Sequence, residues 1–234
     1  MINIAAEAKN VNSIFLKDFF VPKTAESPQK LWEKYIKIEK YDKGAYIYSP
    51  NKKAEYVYFV RKGRIKISLL SDDGKTIIKA VLQEGEVFGE LALIGEQNRT
   101  EFAQAMENSE IQAIPLYITQ NLMQQNQQFG QLVIQLIGSR LLQTQRRLEA
   151  LVFCDARSRI IQFLSNLATE KGRRVGYEML VPKFFTHQEI ANLTDTSRQT
   201  VTTILNELRA ENLIYFDRKR LLVRDVKKLQ AMLS

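Results

Sequence analysis

The sequence is poor in the residues that build metal and redox sites. Its 234 residues include one cysteine, Cys154, and one histidine, His187. A single thiol can form neither an internal disulfide nor a multi-cysteine metal or iron–sulfur site. One histidine supplies no zinc cluster and little material for a catalytic triad. We therefore expect no metal site, a buried or interfacial thiol at Cys154, and an ordinary polar side chain at His187.

Long apolar runs and catalytic signatures are also missing. No stretch of about 18 apolar residues could cross a membrane as a helix. Residues 1–20 lack the basic-then-apolar order of a signal peptide. No Walker loop, HExxH or GxSxG motif occurs. These absences predict a cytoplasmic protein that has no membrane partner and is not an enzyme.

The charge of the chain is basic and unevenly distributed. Hydrophobic residues make up 45% and charged residues 26% of the sequence, which is typical of globular domains, and the net charge is +8. From Cys154 onward there are 14 basic and 9 acidic residues, against 20 and 17 in the preceding part. The C-terminal part is therefore the electropositive end, where a polyanionic partner is expected.

The N-terminal half has the texture of a β-protein. A short helix is predicted over residues 28–40 from the spacing of Leu31, Trp32, Tyr35 and Ile38. Between Tyr41 and Leu116 the segments AYIYS, AEYVYFVRKG, RIKISLL, KTIIKAVL and IQAIPL alternate in polarity and are separated by turn residues. Roughly six or more short strands of this kind indicate a barrel or jelly roll.

A helical pattern follows, and its apolar positions repeat at coiled-coil spacing. Steps of three and four residues connect Ile134, Ile137, Leu141, Thr144, Leu148 and Leu151. About three heptads of this pattern predict the seam of a homodimer. The alternative is a single amphipathic helix lying on its own sheet. Leu132, Val133 and Leu136 offer a second apolar face for that sheet, which favours the dimer.

The seam ends near VFCDARSR, where a new helix is predicted. Asp155 is placed to cap this helix, which should end before KGRR at residues 171–174. Basic residues become frequent from here on. We therefore predict a domain boundary at this break.

The segment FTHQEIANLTDTSRQTVTTILNELRAENLI, residues 185–214, predicts a helix-turn-helix. Thr186 and Glu189 form a capping-box pattern at the start of a short helix. A second helix should begin near Arg198 after the turn TDTS, with the small Ala191 where the helices cross. Asp195 stands at the turn position usually given to glycine, at a modest cost, because Asp tolerates the left-handed conformation. The alternative is a helical hairpin in a domain that does not bind DNA.

The exposed face of the second helix is rich in groups that can bind base edges and phosphates. Arginine suits guanine and glutamine suits adenine. The segment LIYFDRKRLLV then indicates a β-hairpin wing whose turn would lie beside the phosphate backbone. The predicted DNA-contacting residues are Thr186, His187, Ser197, Arg198, Gln199, Thr202, Thr203 and Lys219.

In this order, the three parts resemble the Crp/Fnr family of bacterial transcription regulators. The motifs that carry the resemblance are FGELAL followed by RT, LVFCDARSRI at the hinge, and QEIANLTDTSRQTV. The resemblance implies an α+β fold with an N-terminal β-roll of the cyclic-nucleotide-binding, jelly-roll type (1–117), a long dimerisation helix (118–154) and a C-terminal winged helix-turn-helix (155–234). It further implies double-stranded DNA and RNA polymerase as partners.

The resemblance also gives a role to GEVFGELALIGEQNRTEF, residues 85–102. In the cyclic-AMP-binding members this segment is the phosphate-binding cassette. The resemblance implies backbone contacts from Gly89 to Leu91, ribose hydroxyls on Glu90 and the cyclic phosphate on Arg99, supported by Thr100. It also implies that Thr144 meets the adenine, with Gln145 beside it.

Three features of the chain depart from the best-known cyclic-AMP receptor. The loop from Glu90 to Arg99 is one residue shorter, Gln145 replaces a serine, and Glu101 replaces a small apolar residue. Cyclic AMP is therefore one candidate effector, and another effector or ligand-independent DNA binding is the alternative. A more distant alternative is that the protein is a nucleotide-gated regulatory subunit of an enzyme. An iron–sulfur sensor needs several cysteines, and this chain has one. A haem sensor usually needs a histidine in the N-terminal, sensory half, and the one histidine of this chain lies in the C-terminal part.

Overall fold

The computed structural model describes residues 35–72, 74–217 and 220–233. The chain divides into two compact units that separate between Gln143 and Thr144, inside a long helix. The three-part division predicted from the sequence stays a prediction. No helix in these described ranges is long and apolar enough to cross a membrane.

The first unit is built on two antiparallel sheets. Its strands are β1 (Lys37–Tyr41), β2 (Tyr46–Tyr48), β3 (Tyr56–Lys62), β4 (Arg64–Leu70), β5 (Thr76–Gln83), β6 (Val87–Phe88), β7 (Phe102–Ala105) and β8 (Ser109–Pro115). One sheet has the order β1-β8-β3-β6 and the other β2-β7-β4-β5. The alternating burial within β3 and β4 shows that one face of each sheet forms the core. The expected β-roll is confirmed.

The helix predicted for residues 28–40 is wrong where the structure can test it. Residues 28–34 lie outside the described residues. Lys37–Tyr41 is the edge strand β1, which pairs with β8 from Lys37 opposite Ala113 to Tyr41 opposite Ser109. Strand pairing supplies backbone hydrogen bonds that a short apolar periodicity cannot reveal, so tertiary context overrides the local pattern.

Two helices follow the roll, α1 (Leu116–Gln125) and α2 (Gln127–Phe153). One face of α2 carries Leu132, Val133 and Leu136, which are buried against the roll core. This confirms the second apolar face predicted from the sequence. The predicted seam residues are more open: the exposed fractions of Ile134, Leu141, Leu148 and Leu151 are 68%, 59%, 64% and 41%. Ile137 is partly buried beside the roll core.

The second unit continues with a winged helical fold. After α2 its elements are α3 (Ala156–Lys171), β9 (Arg173–Val175), β10 (Glu178–Pro182), α4 (His187–Thr194), α5 (Arg198–Ala210), β11 (Ile214–Phe216), β12 (Arg220–Val223) and α6 (Val226–Ala231). Its sheet has the order β11-β12-β10-β9. Asp155 caps α3 as predicted and accepts a hydrogen bond from the Ser158 amide at 2.7 Å. That hydrogen bond lowers the pKa of the Asp155 carboxyl.

Candidate effector cassette and nucleic-acid interface

The helix-turn-helix has both of its helix starts fixed by side chains. Thr186 Oγ1 accepts from the Glu189 amide at 3.2 Å, and Glu189 Oε2 accepts from the Thr186 amide at 2.8 Å. This capping box starts α4. Ser197 Oγ then accepts from the Thr200 amide at 3.0 Å and starts α5. The hydroxyls of Thr186 and Ser197 therefore serve first as caps, which satisfy backbone N–H groups at the helix ends.

The exposed face of α5 leaves two long side chains available. The Thr202 and Thr203 hydroxyls donate back to the Arg198 and Gln199 carbonyls at 2.9 and 3.1 Å. Ser197, Arg198, Gln199 and Thr203 are exposed. Within the described ranges the side chains of Arg198 and Gln199 form no hydrogen bond or ion pair. They are the groups best placed to reach base edges.

His187 contacts a side chain of α5. Its Nδ1 lies 2.8 Å from Thr202 Oγ1, and its ring meets the Phe216 ring edge-to-face with 5.8 Å between centroids. Because the Thr202 hydroxyl donates to Arg198, its oxygen can accept from the imidazole N–H. Partial burial, and then the charge of Arg198, lower the pKa of His187. A neutral His187 thus ties α4 to α5.

Two arginines hold the turn between these helices. Asp195 ends α4 in the left-handed conformation at φ 52°. Its Oδ2 accepts from Arg147 Nη2 at 2.8 Å and Nε at 3.1 Å, and Arg147 also donates to the Asn192 carbonyl at 3.3 Å. Arg159 donates to the Thr194 and Asp195 carbonyls at 2.9 and 3.0 Å. Asp195 therefore contributes an ion pair that glycine at this position would lack.

The wing is a hairpin of β11 and β12. Phe216 pairs with Leu221, and Asp217 receives hydrogen bonds from the Arg220 amide and Nε, both at 3.0 Å. The predicted contact residue Lys219 lies outside the described residues.

In the first unit, Gly89 is a turn position of the cassette. It precedes a short 3₁₀-helix, Glu90–Ile94, with φ 75°. A Cβ at this position would lie 3.0 Å from Arg99 Nη2 and 3.1 Å from Tyr58 Cδ2. The left-handed backbone therefore favours glycine, and a Cβ would crowd the Arg99 guanidinium.

The Arg99 side chain is buried and hydrogen-bonded through both of its terminal nitrogens. Only 2% of the residue is exposed. Nη1 donates to the Gly89 carbonyl and to Glu96 Oε2, both at 3.1 Å, and Nη2 donates to the Tyr56 carbonyl. The guanidinium carbon lies 4.6 Å from the Tyr48 ring centroid, a cation–π distance. The buried Nε has no hydrogen-bond partner within the described part of the chain.

Glu96 is the residue of the cassette that the sequence analysis missed. Its Oε1 accepts from the Thr100 hydroxyl at 3.0 Å and from the Thr100 amide at 3.2 Å. One carboxylate thus contacts both Arg99 and Thr100. A loop has no fixed periodicity, so the spacing of Glu96 and Arg99 gave no signal of their contact.

The remaining cassette residues have separate surroundings. Glu90 Oε1 lies 3.7 Å from Arg140 Nε, and Arg140 also donates to the Val87 carbonyl at 3.3 Å. Leu91 is half-buried in the 3₁₀-helix. Within the described residues, Arg99 contacts Gly89 and shares Glu96 with Thr100, whereas Glu90 contacts Arg140. Thr144 and Gln145 belong to the second unit and are exposed on α2.

Glu101, one of the departures noted in the sequence, is a buried and paired carboxylate. Its residue is 6% exposed, and it accepts from Lys79 Nζ at 2.5 Å and from the Tyr48 hydroxyl at 3.2 Å. Burial, together with the Glu101 charge, raises the pKa of Tyr48 far above its usual range. A charge-assisted pair therefore compensates the burial of Glu101 next to Thr100.

Comparison with known proteins agrees with both parts of this description. Residues 38–126 match the cyclic nucleotide-binding domain, and residues 158–232 match the Crp-like helix-turn-helix domain. The global nitrogen regulator of Synechococcus elongatus is 32% identical over 190 residues, which cover 80% of this chain and 86% of the relative. The chain belongs to the Crp/Fnr family.

Other similar proteins include a further transcription regulator and two solved structures. The cAMP-activated global transcriptional regulator CRP of Salmonella typhimurium is 30% identical over 187 residues, covering 80% of this Crp/Fnr chain and 89% of the relative. A CooA mutant from Carboxydothermus hydrogenoformans has a TM-score of 0.79 and 26% identity, covering 95% of this chain and 96% of its own. FixK2 from Bradyrhizobium japonicum has a TM-score of 0.75 at 20% identity, which shows a shared fold.

The family assignment decides the general function. This Crp/Fnr protein is a transcription regulator that binds DNA through a helix-turn-helix. Its relatives and structural neighbours are regulators and not enzymes, as expected from the sequence. The α+β fold of roll, long helix and helix-turn-helix is confirmed.

Proposed function

We propose that the protein is a homodimeric Crp/Fnr regulator whose cassette binds a cyclic nucleotide and whose paired recognition helices read a two-fold symmetric DNA site. The observation that supports the ligand part is that Arg99 contacts the Gly89 carbonyl and shares Glu96 with Thr100, in a domain of the cyclic nucleotide-binding type. A buried arginine beside a hydroxyl suits a phosphate, and the nearby Glu90 can accept hydrogen bonds from ribose hydroxyls.

The exposed apolar seam of α2 supports the dimer. Ile134, Leu141 and Leu148 are each more than half exposed in the single chain. Apolar residues repeating at heptad spacing are stabilised when a second helix covers them. Removing three large side chains from water would favour association of two copies.

The dimer would set the geometry of DNA reading. Two symmetric recognition helices are expected to enter successive major grooves about 34 Å apart. Arg198 would read guanine and Gln199 adenine in each half-site, with Ser197, Thr203 and Lys219 at the phosphates. Control of transcription in this form implies RNA polymerase as a further partner.

Cyclic AMP is the effector that we propose to test first, because one set of relatives is named for activation by it. A second candidate is the same regulator with another effector or with none. It is favoured by one observation: Glu96, a residue of the chain itself, neutralises the Arg99 guanidinium.

Calorimetric titration of the nucleotide-stripped protein with cyclic AMP and cyclic GMP tests the proposal. We expect micromolar binding of cyclic AMP that is lost in Arg99→Ala and kept in Arg61→Ala, an exposed arginine of the same unit. Absence of binding with both nucleotides would overturn the gating and leave the DNA-binding function standing. Sedimentation of the wild type and of Leu141→Asp tests the dimer independently.

A further inference from the structure

We propose that Glu96 is a resident anion of the cassette, which an incoming phosphate must displace, and that it thereby determines which ligands the site accepts. This inference rests on the proposed effector function of the same site. It adds a specificity-determining residue that acts by competition.

The Glu96 carboxylate occupies the donors that a phosphate would use. Its Oε2 lies 3.1 Å from Arg99 Nη1, and its Oε1 lies 3.0 Å from Thr100 Oγ1 and 3.2 Å from the Thr100 amide. A guanidinium, a hydroxyl and a backbone amide are typical donors to a phosphate oxygen pair. A carboxylate and a phosphate cannot hold the same N–H and O–H groups at once.

Burial makes this contact different from a surface ion pair. The side chains of Arg99 and Glu96 are 1% and 12% exposed. A buried guanidinium requires a nearby negative charge. Two other carboxylates of the region have cationic partners of their own: Glu90 faces Arg140 and Glu101 faces Lys79. Glu96 is therefore the group that neutralises Arg99.

The backbone holds Glu96 in this position from both sides. Gly95 turns the chain at φ 103°, and the Glu96 amide donates to the Leu91 carbonyl at 3.1 Å. The Arg99 amide donates to the Lys52 carbonyl at 2.7 Å. These hydrogen bonds fix the backbone of the short loop. The Glu96 carboxylate can therefore approach or leave Arg99 by a change of side-chain rotamer, without movement of the backbone.

The surroundings also allow the carboxylate to leave. Glu96 lines an open cavity of about 1080 Å³ together with Lys53, Gln97 and Asn98. A rotated Glu96 side chain would therefore find space in a cavity whose lining carries two cations, Lys37 and Lys53, and one other carboxylate, Glu55. The buried Arg99 Nε is a donor that Glu96 does not use.

Ligand selection follows from this competition. The observed affinity is the intrinsic affinity reduced by the work of displacing Glu96. Inorganic phosphate, which has few other contacts, should fail to displace it. A cyclic nucleotide can add hydrogen bonds between its ribose hydroxyls and Glu90. These hydrogen bonds supply binding free energy that offsets the cost of displacing the Glu96 carboxylate.

The test uses the full chain and removes the charge of Glu96 while keeping its shape. The variants are Glu96→Gln, Glu96→Ala, the double variant Glu96→Gln with Arg99→Ala, and Glu84→Gln. Glu84 is exposed in the same unit, so its variant matches the change in net charge. The probes are inorganic phosphate and cyclic AMP, measured by calorimetry and by the thermal unfolding midpoint.

We expect phosphate to leave the midpoints of the wild type and Glu84→Gln unchanged. Glu96→Gln should have a lower midpoint that phosphate raises again, and a cyclic AMP affinity at least tenfold higher than the wild type. The double variant should lose both gains. Glu96→Ala should behave like Glu96→Gln.

Each outcome decides the proposal. Phosphate binding by Glu96→Gln without cyclic AMP binding supports the resident anion and overturns the cyclic nucleotide function. Unchanged responses to both probes in Glu96→Gln and Glu96→Ala overturn the resident anion, whether or not the wild type binds cyclic AMP. If neither variant folds in dilute buffer, folding restored by phosphate supports the proposal, and failure to restore it overturns it.

Discussion

The ion pair between Arg147 and Asp195 should contribute measurably to the stability of the DNA-reading unit. The pair joins residues 48 positions apart and places two N–H groups on one carboxylate oxygen, at 2.8 and 3.1 Å. The two side chains are 26% and 25% exposed, which lies between a surface pair and a buried one. Exposed pairs contribute roughly 0.2–1 kcal/mol, and hydrogen bonds to charged groups roughly 1.5–3 kcal/mol. Partial exposure favours a coupling energy of about 1 kcal/mol.

A double-mutant cycle with Arg147→Met and Asp195→Asn isolates this coupling. Methionine keeps much of the apolar stem of Arg147, and asparagine tolerates the left-handed conformation that Asp195 adopts. Hydrogen exchange of the α4 amides in the full chain reports opening of this unit, so unfolding of the first unit does not enter the measurement. A coupling of about 1 kcal/mol corresponds to a roughly fivefold difference in opening constant.

A more exposed pair of the same unit provides the control. Arg157 contacts Glu207, and their side chains are 36% and 44% exposed. The cycle of Arg157→Met with Glu207→Gln should give a smaller coupling than the Arg147 cycle. A coupling below about 0.3 kcal/mol for Arg147 and Asp195 would be within ordinary additivity and would refute the reasoning.

Three further predictions concern single positions. Gly89→Ala and Gly95→Ala share a left-handed backbone cost of about 1 kcal/mol, but only at Gly89 does the new Cβ meet Arg99, while Gly95 has open space. Hydrogen exchange of the β4 amides should therefore show a greater loss of stability for Gly89→Ala, and equal losses would contradict the close contact. Arg198→Ala should weaken binding to the preferred DNA site by roughly 1–3 kcal/mol and relax selection at one base. Gln199→Glu should move the base preference from adenine toward cytosine. Site selection from random DNA measures both effects, and unchanged base preferences would contradict the assignment. His187 is the single histidine, and its pKa is lower in the folded unit than its ordinary value. Its contribution to the stability of α4 should be fully present above the unfolded pKa of about 6.5. That contribution should be lost as the pH falls below this value, because the unfolded chain then binds more protons than the folded one. Hydrogen exchange corrected for its intrinsic pH dependence measures this loss, which should be absent in His187→Asn.

The sequence was most informative where structure follows a local repeat. The capping box of Thr186 and Glu189 lies within one helical turn, so its residues and its geometry could both be predicted. The two faces of α2 follow from heptad spacing, which separates Leu136, buried on the roll, from Leu141, exposed on the seam. Edge strand β1 was missed because a few apolar residues fit a helix and a strand equally well.

Contacts made by loops and by distant residues were beyond local patterns. Glu96 meets Arg99 because Gly95 and backbone hydrogen bonds shape the loop, and no repeat encodes that shape. Arg147 meets Asp195 only after two helices have folded together. The predicted cost of a non-glycine residue at the turn was therefore incomplete, since the ion pair offsets the left-handed conformation of Asp195.

Helix α2 physically connects the cassette with the seam inside the first unit. Glu90 pairs with Arg140, and the next residue, Leu141, is 59% exposed on the seam. Leu136, one helical turn before Arg140, is buried in the roll core. A ligand hydroxyl that hydrogen-bonds to Glu90 would compete with Arg140 and weaken the contact between the cassette and this stretch of α2. Leu136 would keep the helix packed on the roll. Under the proposed function, Arg140→Gln should then reduce the effect of cyclic AMP on dimer affinity, measured by sedimentation, more than it reduces cyclic AMP binding, because Arg140 would act through Glu90 and not on the phosphate.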